Sequence, residues 1–167
     1  MSQMREVAAR LRAVGWTVSV AESCTAGGLA FEMTRVAGSS AFFIGGIIAY
    51  DNAVKTALLD VSEDHLERFG AVSAETAEVM AAACRERFDT DLALSITGIA
   101  GPGGGSEAKP VGLVYIALAD RNRARSREYR FDGDRSEVRR QAISAALDRI
   151  LERLAAEEAP SPNAEKA

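Results

Sequence analysis

Three short segments of this chain carry the residues that can do chemistry. The first is AESCTAGG, residues 21–28, which lies between an apolar stretch that reads as a strand and a stretch with helical spacing. A side chain at such a junction projects into the crevice where open α/β sheets bind ligands. Ser23 can therefore act as a nucleophile, with the backbone amides of Cys24, Thr25 or Ala26 holding the oxyanion that develops. The amides at the helix start, around Gly27, can hold an anion. Helix capping by Ser23 or Thr25, with glycines for a tight turn, is the competing reading of the same segment. Cys24 is a rival nucleophile, since a thiolate near a helix start is activated.

The second segment is YDNAVK, residues 50–55. Tyr50 ends an apolar run and Lys55 falls in the first turn of the next helix. A cation there faces the positive end of the helix dipole. That setting, with partial burial, favours a neutral amine. A neutral lysine can serve a serine as general base, with Tyr50 relaying or orienting the proton. A snorkelling surface lysine and a tyrosine packed at a strand end are the plain alternative. The third segment is TGIAGPGGGSEAKPVG, residues 97–112. Thr97, Gly98, Gly101, Gly103, Gly104 and Gly105 let backbone approach a phosphate and present amides to it, and Lys109 can neutralise the charge. The segment is neither a P-loop nor a dinucleotide fingerprint, because a strand follows it rather than a helix. An ordinary loop between two strands fits it equally well.

The elements that must position these residues follow from periodicity. Residues 4–13 have helical spacing, with Gly15 as a C-cap. Residues 17–21 read as a strand and 27–36 as a helix. Residues 41–50, AFFIGGIIAY, are a nearly continuous apolar run, which predicts a buried strand. The Gly45-Gly46 pair in it predicts a bulge or a close backbone approach. Asp51, Ser62 and Ser73 open three further helices, and residues 92–97 form a strand. Residues 111–119 and 126–131 pair as a hairpin, and 134–157 form a long amphipathic helix. Alternating strands and helices with a late hairpin predict an α/β fold, a three-layer α/β/α sandwich with a mixed, mostly parallel sheet. One domain is expected over residues 1–156, with a disordered polar tail at 157–167.

The bulk numbers exclude several classes. The chain has 167 residues and a net charge of -4. An acidic chain lacks the basic face that nucleic acid or an anionic membrane requires. No apolar run approaches the ~20 residues that span a bilayer, and no leader-like segment opens the chain. Two cysteines and one histidine make neither a disulfide framework nor a zinc site. A cytoplasmic location, no metal and no organic cofactor are expected. The basic run at residues 121–130 reads as a solvated edge hairpin.

Taken together, AESCTAGG, GGIIAYDNAVKTALLDVS, GAVSAETAEVMA and ITGIAGPGGGSEAKPVGLVYIAL resemble, in order and spacing, the CinA carboxy-terminal domain family. The resemblance covers roughly residues 5–155. It implies an α/β/α sandwich, a homo-oligomer, and deamidation of nicotinamide mononucleotide to nicotinate mononucleotide and ammonia. Carried over by motif, the family's nucleophilic serine falls on Ser23, its tyrosine and lysine on Tyr50 and Lys55, and its Gly-rich loop on residues 97–105, with Lys109 nearby. One departure is Ala26, where many relatives read glycine. The larger CinA proteins also carry an amino-terminal domain resembling molybdopterin-binding proteins, and a stand-alone form without it is expected here. Hydrolysis of a different carboxamide, or a non-catalytic nucleotide-binding or competence-associated interaction module, are the alternatives.

Overall fold

A computed structural model of the chain describes residues 2–158. Its frame is a five-stranded sheet in the order β2-β1-β3-β4-β5. The strands are β1 (Val18–Glu22), β2 (Phe43–Ile48), β3 (Leu92–Gly98), β4 (Leu113–Ala119) and β5 (Ala124–Arg130). β1 pairs parallel with both β2 and β3, whereas β4 runs antiparallel to β3 and to β5. Four strands thus share one direction and only β4 opposes them, which is the mixed, mostly parallel sheet expected.

Helices cover both faces. α1 (Gln3–Val14), α2 (Gly28–Thr34) and α6 (Arg135–Glu158) pack on one side; α3 (Asn52–Leu59), α4 (Glu63–Phe69) and α5 (Ala74–Phe88) lie on the other. The strands explain the asymmetry of the layers. Val18, Val20, Leu92, Leu94 and Ile96 fill the core under α1 and α6. Between them Ala21, Ala93 and Ala117 face α5, whose own contact residues include Ala77, Ala81 and Ala83. Small residues on both sides let α5 lie close on the sheet, and the side chains of Ser95 and Thr97 bond to the Ala77 and Ala71 carbonyls at 2.5 and 2.6 Å.

The helix starts are capped as the sequence indicates. Asp51 accepts the Ala53 amide, Ser62 that of His65 and Ser73 that of Thr76. Gly15 closes α1 in the left-handed region at φ 70°. Gly46 is required by proximity, because a Cβ there would lie 2.6 Å from the Val20 carbonyl oxygen. A register shift between Val18 and Ser19 accompanies it.

Two expectations need correction. The run at residues 41–50 is not a buried strand: β2 is the edge of the sheet, and exposure alternates along it. Its apolar residues mark an uncovered edge, which composition alone does not separate from a central strand. Residues 157 and 158, assigned to the expected tail, belong to α6, which continues to Glu158; the remainder of that expected tail lies outside the described residues.

Candidate active site

The three segments meet at one end of the sheet. Ser23 follows β1, Tyr50 follows β2 and the Gly-rich loop follows β3, so all three leave the carboxyl ends of adjacent parallel strands. α2 leaves β1 over one face of the sheet and α5 returns to β3 over the other, which opens a crevice at this point. A cleft of about 270 Å³ lies there, lined by Ser23, Cys24, Tyr50, Lys55, Thr97 and Arg135 among others.

Ser23 is held by its backbone. Its amide donates to the Ile96 carbonyl at 2.9 Å, and its carbonyl accepts the Ala26 amide at 3.1 Å. Among the described residues its hydroxyl has no hydrogen-bond partner. The turn then passes through Ala26 at φ 50° and Gly27 at φ 90°. A left-handed alanine costs roughly 1–2 kcal/mol relative to glycine, so the Ala26 departure adds strain next to the nucleophile without rerouting the chain.

Glu22 is the residue that sequence reasoning missed in this turn. It is fully buried and accepts the amides of Gly27 at 3.1 Å, Leu29 at 3.0 Å and Ala30 at 2.8 Å. The start of α2 is therefore occupied by the protein's own carboxylate, and Gly27 is not a donor to a substrate anion. The amides left over are those following the nucleophile. Thr25's has no acceptor among the described residues, and Cys24's faces only its own sulfur. Of the two, only Cys24 lines the cleft, so its amide is the one that can serve an oxyanion; Thr25 is fully buried and lies outside the lining.

Lys55 is 2% exposed. Its Nζ donates to the carbonyls of Ala49 at 2.9 Å and Tyr50 at 3.2 Å. Burial pushes its pKa below the ordinary lysine value, and the Asp51 carboxylate opposes that only in part. A neutral amine has two N–H bonds and one lone pair. With both N–H bonds committed to carbonyls, the lone pair remains to accept a proton. Cys24 is disfavoured as the nucleophile, because burial drives its thiol up to about 11.

Tyr50 and Arg135 form the mouth of the cleft. The Arg135 guanidinium donates to the Tyr50 hydroxyl and to the Gly101 carbonyl, both at 2.9 Å. Tyr50 thus turns its hydroxyl to Arg135 and not to Lys55. Arg135 escaped the sequence reading, although it obeys the rule that singled out Lys55: a cation in a helix's first turn, where the dipole disfavours it. With Lys55 as a neutral amine, Arg135 is the cation of the described cleft lining, which contains no carboxylate, and this suits an anionic ligand.

The remaining candidates divide. Thr97, Gly98, Gly101, Gly103 and Gly104 line the cleft; Thr25, Ala26, Gly27, Gly105 and Lys109 do not. A Cβ on Gly105 would meet the Val111 nitrogen at 2.8 Å, so that glycine seats the loop against the chain entering β4. Lys109 Nζ donates to the carbonyls of Phe69 at 3.1 Å and Val72 at 2.7 Å. It fastens the loop to the α4–α5 connection, and its charge is spent there.

Comparison with known proteins places the chain in a family. Residues 1–154 match the family described as CinA C-terminal domain. The chain belongs to this family. It is 52% identical over 151 residues to the CinA-like protein of Gloeothece citriformis, covering 89% of this chain and 36% of that one. With the CinA-like protein of Microcystis aeruginosa it shares 56% over 141 residues, 83% of this chain and 34% of the relative. This CinA C-terminal domain thus spans about a third of the length of these relatives. Among solved structures, the CinA superfamily protein of Klebsiella pneumoniae superposes with a TM-score of 0.89 at 32% identity, over 93% of this chain and 99% of that one. The competence/damage inducible protein CihA of Agrobacterium tumefaciens does so at 0.85 and 41%, over 93% and 97%.

Proposed function

We propose that this CinA domain is a serine amidohydrolase that converts nicotinamide mononucleotide and water to nicotinate mononucleotide and ammonia. The observation that carries the reading is that one cleft is lined by both Ser23, whose hydroxyl has no hydrogen-bond partner among the described residues, and a buried Lys55 whose Nζ is held by two carbonyls. Lys55 takes the Ser23 proton as Oγ attacks the carboxamide carbon. The Cys24 amide receives the oxyanion. Lys55 returns the proton to the departing nitrogen, the C–N bond breaks and ammonia leaves. Water, deprotonated by Lys55, then hydrolyses the ester and frees Ser23. Tyr50 orients Arg135, and Arg135 takes the 5′-phosphate against the frame of Gly101, Gly103 and Gly104, the role expected of Lys109. Binding energy at the phosphate orients the distant amide.

The test is ammonia release over a panel of nicotinamide compounds, with two variants that separate the cations. Arg135→Gln raises KM for the mononucleotide by about 10- to 100-fold, the worth of a charge-assisted contact. Lys109→Met leaves KM unchanged and destabilises the fold by about 1–3 kcal/mol, because two carbonyls lose their donor. The opposite pattern, or no ammonia from any of the compounds, refutes the assignment.

We also place this protein in the cytoplasm as a homo-oligomer. No helix among the described residues is long and apolar enough to cross a membrane. Ile44 and Ile48 on the edge strand β2, and Phe31 on the adjoining α2, are 50%, 54% and 68% exposed. A second copy of the chain covering that edge accounts for such residues. A monomer mass by light scattering refutes the oligomer.

A further inference from the structure

A second cavity, about 430 Å³, runs between α2 and α6 and contains none of the catalytic residues. Its volume lies within the roughly 300–1,000 Å³ of small-molecule sites. Gln3 of α1 closes one end: its Nε2 donates to the Ser144 carbonyl at 2.9 Å and its Oε1 accepts the Ser144 hydroxyl at 3.0 Å. These bonds form the end of the groove from the chain itself, without a ligand. Ile143 and Leu147 give it apolar walls, while Arg35, Arg139 and Arg140 face Glu32 as the sole carboxylate of the lining. The lining thus carries three guanidiniums to one carboxylate on a chain of net charge -4.

The three guanidiniums are not equivalent. Arg35 is paired with Glu32 at 3.0 Å and Arg140 with Glu137 at 2.8 Å. Arg139 has no carboxylate partner among the described residues; its Nη2 donates at 2.6 Å to the carbonyl of Thr25. That carbonyl lies two residues after Ser23. Close packing joins the same elements again, since a Cβ on Gly28 would lie 2.7 Å from Ile143 Cδ1. Arg139 therefore stands between the groove and the nucleophile turn.

We propose that this groove binds a phosphate monoester with a planar apolar body, of nucleoside monophosphate type, and that its occupancy is felt at Ser23 through Arg139. The phosphate takes the Arg139 fork, for which a phosphate is a bidentate partner. The planar body lies along Ile143 and Leu147. Drawing Arg139 toward the groove removes the donor from the Thr25 carbonyl and loosens the turn that carries Ser23. The bound ligand is thus an inhibitor that lowers kcat without competing with substrate.

The probe is AMP, with inorganic phosphate and adenosine as partial ligands, followed by titration calorimetry and thermal unfolding of the full chain. AMP binds the wild type and raises its Tm, and does the same in Arg135→Gln, where the cleft has lost its anion-holding residue. The paired variant Arg35→Glu/Arg140→Glu abolishes that binding while ammonia release without AMP is unchanged. Phosphate alone binds more weakly than AMP, and adenosine does not bind. The site is overturned if AMP fails to bind, if binding survives the paired variant or is lost in Arg135→Gln, or if either partial ligand matches AMP. The coupling rests on the proposed amidase reading and is tested separately: AMP lowers kcat several-fold at constant KM, and competitive inhibition overturns it. Binding needs no turnover, so the calorimetric result stands whether or not nicotinamide mononucleotide is the substrate.

Discussion

Replacing Ser23 with alanine lowers ammonia release from nicotinamide mononucleotide by on the order of 10⁴–10⁶-fold, the scale seen when a hydrolase loses its nucleophile. The fold should scarcely notice. The hydroxyl bonds to nothing among the described residues, and Ser23 is positioned through its amide and carbonyl, which alanine keeps. The change in stability therefore stays within about 0.5 kcal/mol, as for other substitutions that break no contact. Cys24→Ala is the control. A thiol pushed up to about 11 is protonated at neutral pH, so its loss leaves most of the activity in place. Parallel rate and thermal-unfolding measurements decide the matter. Wild-type turnover in Ser23→Ala refutes the nucleophile assignment, and near-complete loss in Cys24→Ala with Ser23→Ala still active moves the chemistry to the sulfur.

Lys55→Met lowers kcat by about 10²–10⁴-fold, the usual contribution of a positioned base, and it removes the acid limb of the pH–rate profile. The sign follows from the environment. Burial favours the neutral amine and lowers the pKa of Lys55 in the folded chain. The rate in the wild type thus rises with pH as Lys55 deprotonates, at a pH below the ordinary lysine value, and then levels. Stability shows the matching trend. Between the lowered folded pKa and the ordinary value, the unfolded chain binds a proton that the folded chain does not, so Lys55 makes stability rise with pH through that window. Lys55→Met flattens this slope. Lys55→Arg is equally inactive, because a guanidinium does not deprotonate. An acid limb that persists unchanged in Lys55→Met would falsify the base assignment.

Much of the molecule was legible before any coordinates. Helix starts at Asp51, Ser62 and Ser73, the stop at Gly15 and the hairpin of β4 and β5 all rest on interactions between neighbours in sequence, or on patterns that repeat along one element. Such information is local, and a single chain displays it. The segments bearing Ser23, Tyr50, Lys55 and Thr97 were legible for the same reason, since each sits where one element gives way to the next.

Tertiary structure decided the rest, because each remaining question concerned a partner distant in sequence. Tyr50 and Arg135 are separated by 85 positions, and nothing near either one announces the other. Lys109 looks like a phosphate ligand beside its glycines until the carbonyls of Phe69 and Val72, 40 and 37 positions away, claim its ammonium. The apolar run of β2 reads as buried until the sheet order leaves it at the edge. Glu22 is next to Ser23 in sequence, yet its role as the cap of α2 depends on that helix folding back over the strand end. Sequence determined which elements form and which residues stand at their ends; packing determined which charges are free to meet a ligand, because a charge is spent or spared only by what the folded chain places against it.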